Sequence, residues 1–433
     1  MVKQPIGRVG AGKSTSREAA SLMTANVRPG RVQVLFVTWD GPHSTYLQGL
    51  FLPIFAALRP AGFDFHVLQF TWADADERAM MKAACAALGI SYRSVTIRRR
   101  PIALGSLATA LLGLAEVRRA IQRLGIGLVM PRNTLAALAA IPAAGRLPVL
   151  LDADGFPNEE RIEFQGASPN DISYRALRTL DTWSIRCAEA ITVRTHRAAE
   201  ILAQRTGAEP GRFHVVANAR DANVFRPLED KGRARRRGEL GIGPDEPLVI
   251  YVGSALSGKY AGEAMLQFFR HVQNRRGDAR LLFLMPRHEE ARSLLNLTPD
   301  LASACFLRSA EPGEVPAWIG AADLGLALIR PTFSMQAASS IKLGEYLLCG
   351  LPVLATAGVG DSEEVVRPSV GLCLHDIEES ALSRAADWFV DIVLPNRETF
   401  RDHCREAGLK RFSLESAVPA YEGALESALA ASA

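Results

Sequence analysis

Two series of short apolar runs, separated by helix-length segments, constrain the fold of this chain more than any other feature. The first series falls at residues 32–38, 66–70, 94–97, 127–130, 149–151, 190–193 and 214–217. The second falls at 248–253, 281–285, 324–329 and 352–356. Short, β-branched-rich apolar runs are typical of buried strands in parallel sheets. Their alternation with helices predicts an α/β fold with helices on both faces of each sheet.

The chain of 433 residues is long enough for two domains. Residues 216–247, rich in glycine, proline and charge, have the composition of a linker. We therefore expect a flexible tail at 1–30, one doubly wound domain at 31–215 and a second at 248–410. Sheets of this kind bind ligands at the carboxyl ends of their strands, so the cleft between the domains is the expected site.

Composition excludes several functional classes. A net charge of +4 is too small to indicate a nucleic-acid partner. The six cysteines form no C-x-x-C pair, which favours reduced thiols and a cytoplasmic location. The start of the chain has no apolar signal core, and the longest nearly uncharged run, 101–115, is shorter than the ~20 residues that span a bilayer. We expect no membrane-spanning segment.

The segment SSIKLGEYLLCGLPVLAT, residues 339–356, is the strongest local signal. It predicts a helix capped by Ser339 or Ser340 and ended by Gly350. The helix N-terminus and Lys342 suit a diphosphate, and Glu345, one turn further on, suits ribose hydroxyls. An amphipathic surface helix with an ordinary ion pair between Lys342 and Glu345 is the alternative.

This segment does not stand alone, because residues 318–366 as a whole resemble the nucleotide-sugar-binding half of family 4 glycosyltransferases, which have the GT-B fold. The matching positions in this stretch are Ala322, Asp323, Lys342, Glu345, Gly350, Pro352, Val353, Ala355, Gly358, Gly360 and Glu363 or Glu364. The stretch 215–227 is similar to the family's interdomain pattern at Asn218, Asp221, Phe225 and Pro227. The resemblance is weaker over residues 31–210.

The resemblance implies a GT-B fold in which a last helix, at 411–433, packs back on the first domain. It also implies transfer of a sugar from a nucleotide diphosphate sugar, with retention and without a cofactor or an essential metal. Donor contacts would come from Gly253, Lys259, Ser340, Lys342 and Glu345. Gly253 could instead simply end a strand, and Lys259 could be an exposed lysine.

The chain departs from the family pattern at several positions. Ala337 stands where many members have a glutamate eight residues before Glu345, and no basic residue directly follows Gly253. Asp154 stands where many members have a histidine after a first-domain strand. We expect an acid–base or acceptor-orienting role for Asp154, with a turn-forming aspartate as the alternative.

The loop after the first strand is a second departure from the family, because it lacks the common glycine pair. We expect it to be an acceptor-side loop in which Gly41 allows close approach of the backbone, and His43 and Ser44 face the cleft. His43 is the other catalytic candidate, although a lone loop histidine is more often solvated.

Two further sequence motifs each allow a functional and a structural interpretation. Residues 7–14, GRVGAGKS, match the P-loop pattern but follow no buried strand, which favours a tail over an ATP site. Residues 98–100 are three arginines that run into the apolar segment 101–115. This combination suits peripheral contact with an anionic membrane, and a buried crossover helix is the alternative.

The first hypothesis is a glycosyltransferase with a glycan or lipid-linked acceptor, as in bacterial surface polysaccharide or glycolipid synthesis. The second is a GT-B-fold nucleotide-sugar epimerase or hydrolase, which needs no acceptor. The third is a relative that only binds nucleotide sugars, suggested by Ala337 and opposed by the retained Lys342 and Glu345.

Overall fold

The computed structural model describes residues 30–42, 44, 46–99, 102–253, 256 and 258–432, without the side chains of 102–104. The P-loop-like string at 7–14 lies outside this range. The described chain forms two parallel sheets, each covered by helices, which confirms the predicted α/β fold of two doubly wound domains.

The first domain is built on seven parallel strands. A four-stranded sheet has the order β3-β2-β1-β4, and a three-stranded sheet has the order β5-β6-β7. Parallel bridges from Val129 to Val149 and from Arg132 to Asp152 join β4 to β5, so the two sheets are continuous. The strands are β1 Val32–Asp40, β2 Phe63–Thr71, β3 Ser91–Thr96, β4 Leu128–Pro131, β5 Leu150–Asp152, β6 Ala190–Val193 and β7 Phe213–Val215.

Seven helices connect these strands, and a π-helical turn at Leu47–Phe51 leads into the first. They are α1 Leu52–Leu58, α2 Ala75–Ala87, α3 Ile102–Leu124, α4 Asn133–Ala144, α5 Pro157–Gln165, α6 Ile172–Cys187 and α7 His196–Thr206. Apolar side chains of β1, β4 and the flanking helices form one core on each face of the sheet.

The second domain has six parallel strands in the order β10-β9-β8-β11-β12-β13. The strands are β8 Leu248–Val252, β9 Arg280–Leu284, β10 Cys305–Arg308, β11 Leu324–Ala327, β12 Val353–Thr356 and β13 Gly371–Leu374. Its helices, with those of the carboxyl end, are α8 Asp230–Gly238, α9 Gly262–Arg275, α10 Glu289–Asn296, α11 Pro299–Ala302, α12 Val315–Ala321, α13 Ile341–Leu348, α14 Ser362–Val365, α15 Glu379–Trp388, α16 Arg397–Phe412 and α17 Leu414–Ala431.

Sequence reasoning missed two strands, β10 and β13. Strand β10 is half-exposed and ends in a charged residue, and β13 begins with glycine. Neither gives the buried, β-branched run that identified the others. Both are outer strands, where partial burial weakens the apolar signal.

The segment between the domains is more ordered than its composition suggests. It contains α8, and Ala222, Leu240 and Ile242 lie in the core of the second domain. Two of its arginines, Arg233 and Arg237, form ion pairs with the second domain. Arg237 is 1% exposed, and its guanidinium lies 3.5 Å from the Asp323 carboxylate, which also accepts from Arg233 at 2.7 Å.

The last helix, α17, returns to the first domain. Its buried face, which includes Ala417, Tyr421 and Leu425, joins the core formed by β1 and α1. No helix within the described part of the chain is long and apolar enough to cross a membrane.

Candidate functional site in the interdomain cleft

Lys342 is the centre of the second-domain half of the site. It lies in the first turn of α13 and is 7% exposed. Its ammonium lies 4.0 Å from the ring centroid of Tyr260 and 4.8 Å from that of Tyr251. Among the residues that the structure describes, no carboxylate lies within 4.0 Å of this ammonium. Burial lowers the pKa of Lys342, because loss of solvent disfavours the charged form, and the nearby Lys259 acts in the same direction.

A second lysine, Lys259, lies beside the same tyrosine. Its ammonium is 5.8 Å from the Tyr260 ring centroid and 3.3 Å from the Glu160 carboxylate of α5, across the cleft. Lys342 first, and Lys259 with it, lower the pKa of the Tyr260 phenol. Burial acts against the charge of Lys259, but Glu160 and the phenol groups nearby keep its pKa above the ordinary value. Two cations therefore flank one ring.

Gly253 lies next to this pair, at the end of β8. A Cβ atom there would lie 2.5 Å from the Tyr251 hydroxyl, so the position requires glycine. Tyr251 is in turn one of the two rings that hold Lys342. Gly253 thus allows the backbone to pass close to the Tyr251 ring, which contacts the Lys342 ammonium.

Ser340 is the N-cap residue of α13, as predicted, but its side chain makes no capping hydrogen bond. The Leu343 amide instead donates to the Ser340 carbonyl at 3.1 Å. The positive end of the helix dipole lies at this N-terminus. Ser340 also lines a cavity of about 520 Å³ between β6, β7, β11, β12 and the carboxyl-terminal helices. Lys259, Lys342 and Asp154 are not part of that lining, so Ser340 borders a neighbouring space.

Glu345 is 9% exposed and is held by an arginine that the sequence did not single out. Its Oε1 accepts a hydrogen bond from Arg220 Nε at 2.8 Å. Arg220 also donates to the Gly49 carbonyl of the first domain at 2.7 Å. In this structure Glu345 therefore connects α13 to the first domain, and its ribose role stays a prediction.

Asp154 follows β5 on the first-domain side. Its carboxylate is paired with Arg132, which follows β4, and lies 3.6 Å from Arg194, which follows β6. Burial opposes ionisation, but Arg132, Arg194 and Lys259 together hold the pKa of Asp154 below its ordinary value. Asp154 is therefore a carboxylate at neutral pH, able to accept a hydrogen bond from a sugar hydroxyl.

The turn before α4 helps to place Asp154. Asn133 has a φ of 64°, in the left-handed region that few residues other than glycine adopt. Its side-chain oxygen accepts the Asp154 amide at 3.3 Å. Asparagine tolerates this conformation because its short side chain hydrogen-bonds locally. Such strain is commonly found at functional sites.

Two further carboxylates complete a buried ion cluster around Arg132. Asp152 is fully buried and accepts from Arg194 at 2.7 Å and from Thr192 at 2.8 Å. Asp40, at the end of β1, lies 3.8 Å from Arg132. The string Asp152-Ala153-Asp154 resembles a D-x-D metal motif, but both carboxylates are ion-paired with arginines.

The acceptor-side loop is only partly described. His43 lies outside the described residues, and Ser44 is half-buried. Gly41 is explained by packing, since a Cβ atom there would lie 2.6 Å from the Trp72 ring. The loop also contains Tyr46, whose ring lies 4.6 Å from the Arg132 guanidinium.

Tyr46 connects the two halves of the site electrostatically. Burial and Asp154 raise the pKa of its phenol, while Arg132 and Lys259 act in the opposite direction. Asp154 and Lys259, from different domains, thus act on one side chain. The structure brings Asp154, Lys259, Lys342 and Gly253 to one cleft.

Sequence reasoning missed Arg132, Arg194, Tyr46, Tyr260 and Arg220. Arg132 and Arg194 each follow a strand directly, which was an available signal, because strand ends line the cleft. Tyr260 follows Lys259, where the family pattern has glycine. Arg220 gave no signal, since its two partners lie in different domains.

Among the residues that the structure describes, one group of potential metal ligands lies elsewhere. Ligand atoms of His196, Asp361 and Glu364 lie within 4.8 Å of one another. Arg411 contacts both carboxylates, at 3.2 and 2.8 Å. This guanidinium already neutralises the negative charge that the two carboxylates would offer a metal ion.

Comparison with known proteins identifies the first domain. Residues 51–219 match the model of the glycosyl transferase 4-like domain. The match covers the part of the chain in which the sequence resemblance was the weaker one. Residues 51–219 therefore form a glycosyl transferase 4-like domain, and the family 4 resemblance is confirmed for this part of the chain. No curated protein matches the chain by sequence.

Solved structures establish the fold of the whole chain. HepE from Anabaena, in complex with UDP, aligns with a TM-score of 0.69 and 16% identity, over 92% of this chain and all of that one. WaaG, a glycosyltransferase involved in lipopolysaccharide biosynthesis, aligns with a TM-score of 0.66 and 16% identity, over 90% and 98%. A putative UDP-N-acetylglucosamine 2-epimerase from Listeria monocytogenes aligns with a TM-score of 0.60 and 14% identity, over 92% and 96%. The chain has the GT-B fold.

Proposed function

We propose that this protein is a glycosyltransferase that moves a sugar from a nucleotide diphosphate sugar to a glycan or lipid-linked acceptor. The observation that carries the proposal is Lys342, a buried ammonium held by two aromatic rings at the start of a helix. Lys259 and the positive end of the α13 helix dipole add positive potential nearby. A site of this kind favours a diphosphate and stabilises it as a leaving group.

The solved neighbours support the same assignment. HepE has been crystallised with UDP and glucose and with UDP-glucose. In the present protein the corresponding chemistry needs a cation for the diphosphate, which Lys342 and Lys259 supply, and a group for the acceptor, which Asp154 supplies. We infer transfer of a hexosyl-type residue with retention, without a cofactor or an essential metal.

The epimerase alternative rests on the neighbours of that class, which share the fold at lower TM-scores. Incubating the purified protein with labelled nucleotide sugars separates the possibilities. Release or isomerisation of the sugar without an acceptor supports the epimerase or hydrolase. Binding without turnover, even with glycan and lipid-linked acceptors present, supports a protein that only binds. Acceptor-dependent turnover supports the glycosyltransferase.

We also propose that the protein is cytoplasmic and that its first domain contacts the membrane surface. Helix α3 exposes Leu107, Leu111 and Leu112 in its first half, at 45–59%. Its second half exposes Arg118, Arg119 and Arg123 on the same side. An exposed apolar face followed by cations suits contact with an anionic leaflet.

Sedimentation with phosphatidylglycerol-containing vesicles tests this surface. Leu111→Glu should reduce the bound fraction severalfold, because it places a negative charge at the apolar face. Leu297→Glu is the matched control, since Leu297 is 79% exposed in the second domain. Equal binding by wild type and Leu111→Glu would remove the membrane contact from the proposal.

A further inference from the structure

Glu163, on the last turn of α5, reaches across the cleft to the second domain. Its Oε2 accepts a hydrogen bond from the Thr332 hydroxyl at 2.6 Å and is also contacted by the Ser334 hydroxyl. The Ser334 amide donates to both carboxylate oxygens, at 3.1 and 3.2 Å. One first-domain carboxylate thus takes three donors from two second-domain residues.

These donors belong to residues 332–337, which we call the donor-side loop. The loop connects β11 to α13 and ends five residues before Lys342. Ser334 is fully buried, and the rings of Phe156 and Phe333 stack beside it with centroids 5.7 Å apart. The loop leads through residues 338–340 into the start of α13.

The loop supplies no carboxylate of its own. Ala337, where a family glutamate is missing, is 1% exposed and packs into the hydrophobic core of the first domain. The next anchor along the loop is Gln336, whose carbonyl accepts from Thr195 at 3.0 Å and whose side chain accepts from Arg197 at 3.0 Å. Both anchors come from the first domain.

We propose that Glu163 is a positioning residue for the donor site: it holds the donor-side loop in the conformation that presents the start of α13 and Lys342 to the diphosphate. This inference rests on the proposed function for the identity of the ligand. Hydrogen bonds to an ionised carboxylate are stronger than those between neutral groups, so a single side chain suffices to hold the loop. The donor site of one domain is thus completed by the other.

Hydrogen–deuterium exchange on the ligand-free, full-length protein tests the positioning directly. Glu163→Gln should raise exchange of the Ser334 amide by about tenfold or more, because an amide side chain replaces the charged acceptor. Glu209→Gln, at an exposed glutamate of the first domain, is the matched control and should leave Ser334 exchange unchanged. Unchanged Ser334 exchange in Glu163→Gln overturns the inference, whatever the protein binds.

Binding of UDP and GDP, measured by calorimetry, provides the second readout. Glu163→Gln should weaken binding of whichever nucleotide the wild type takes, by about tenfold, whereas Glu209→Gln should bind it as the wild type does. If Glu163→Gln folds poorly, Thr332→Val removes one donor and should weaken binding in the same direction. Tight nucleotide binding by Glu163→Gln, equal to wild type, overturns the inference. Absence of binding to the wild type counts against the proposed function, and the exchange result still decides the role of Glu163.

Discussion

The ammonium of Lys342 lies 4.0 Å from the centre of the Tyr260 ring and 4.8 Å from the centre of the Tyr251 ring, and the two rings form an aromatic cage. This cage keeps a cation in a largely buried position without a carboxylate partner among the described residues. A carboxylate there would compete with the diphosphate, whereas a ring face leaves the ammonium free to bind an anion. On the opposite, first-domain side of the cleft, Asp154 is held by Arg132 and Arg194.

Replacing Tyr260 separates the role of its ring from that of its hydroxyl. Tyr260→Leu should weaken nucleotide diphosphate binding by about 3- to 30-fold, because a cation–π contact is worth about 0.5–2 kcal/mol. Tyr260→Phe keeps the ring and should stay close to wild type. Calorimetric titration of both variants checks this, and equal losses in the two would show that the hydroxyl matters instead.

Nucleotide binding should depend on pH through Lys342. The pKa of this lysine is lowered in the free protein, chiefly by burial, and a bound diphosphate raises it again. Affinity should therefore be full below the free-state pKa and fall as the pH rises from the free-state pKa towards that of the complex. Titrations in buffers of different ionisation enthalpy should show proton uptake on binding between these two pKa values. Lys342→Arg should shift the decline to higher pH, because arginine remains charged.

Removing the charge of Asp154 should affect transfer more than donor binding. Asp154→Asn is expected to lower kcat by about 100-fold or more, a typical loss for an acid–base or orienting group. The donor KM should change little, since Asp154 lies on the first-domain side. Asp76→Asn, at an exposed position of α2, serves as control. A loss of activity that only follows a lower melting temperature would assign Asp154 to the stability of the arginine cluster.

The next prediction concerns Glu345 and the ribose of the bound nucleotide. If its carboxylate holds the ribose hydroxyls, wild type should bind UDP, or whichever nucleoside diphosphate it takes, more tightly than the 2′-deoxy analogue. Glu345→Gln should reduce this preference, because a neutral amide accepts hydrogen bonds less strongly. The ratio of the two dissociation constants is the measurement. An unchanged ratio in Glu345→Gln would leave Glu345 only its contact with Arg220.

The sequence was most informative where one local stretch forms one part of the site. Lys342 and Glu345 lie on one short helix, and Gly253 ends a strand, so helix and strand patterns sufficed to find them. Arg132 and Arg194 meet Asp154 only because β4, β5 and β6 are neighbours in the sheet, which strand order determines. Glu163, Arg220 and Tyr46 act across the cleft, and contacts between domains leave no periodic pattern in either partner. The outer strands β10 and β13 were not predicted for a different reason, because their apolar pattern is weak.

The proposed donor site is tested most directly by thermal unfolding of the wild type with a panel of nucleoside diphosphates. A nucleotide at 100 times its dissociation constant should stabilise the protein by about 2.7 kcal/mol. Lys342→Ala should lose most of this stabilisation, whereas Lys231→Ala, at an exposed lysine of α8, should retain it. If no nucleoside diphosphate stabilises the wild type, or if Lys342→Ala responds as the wild type does, the donor site proposed around Lys342 is wrong.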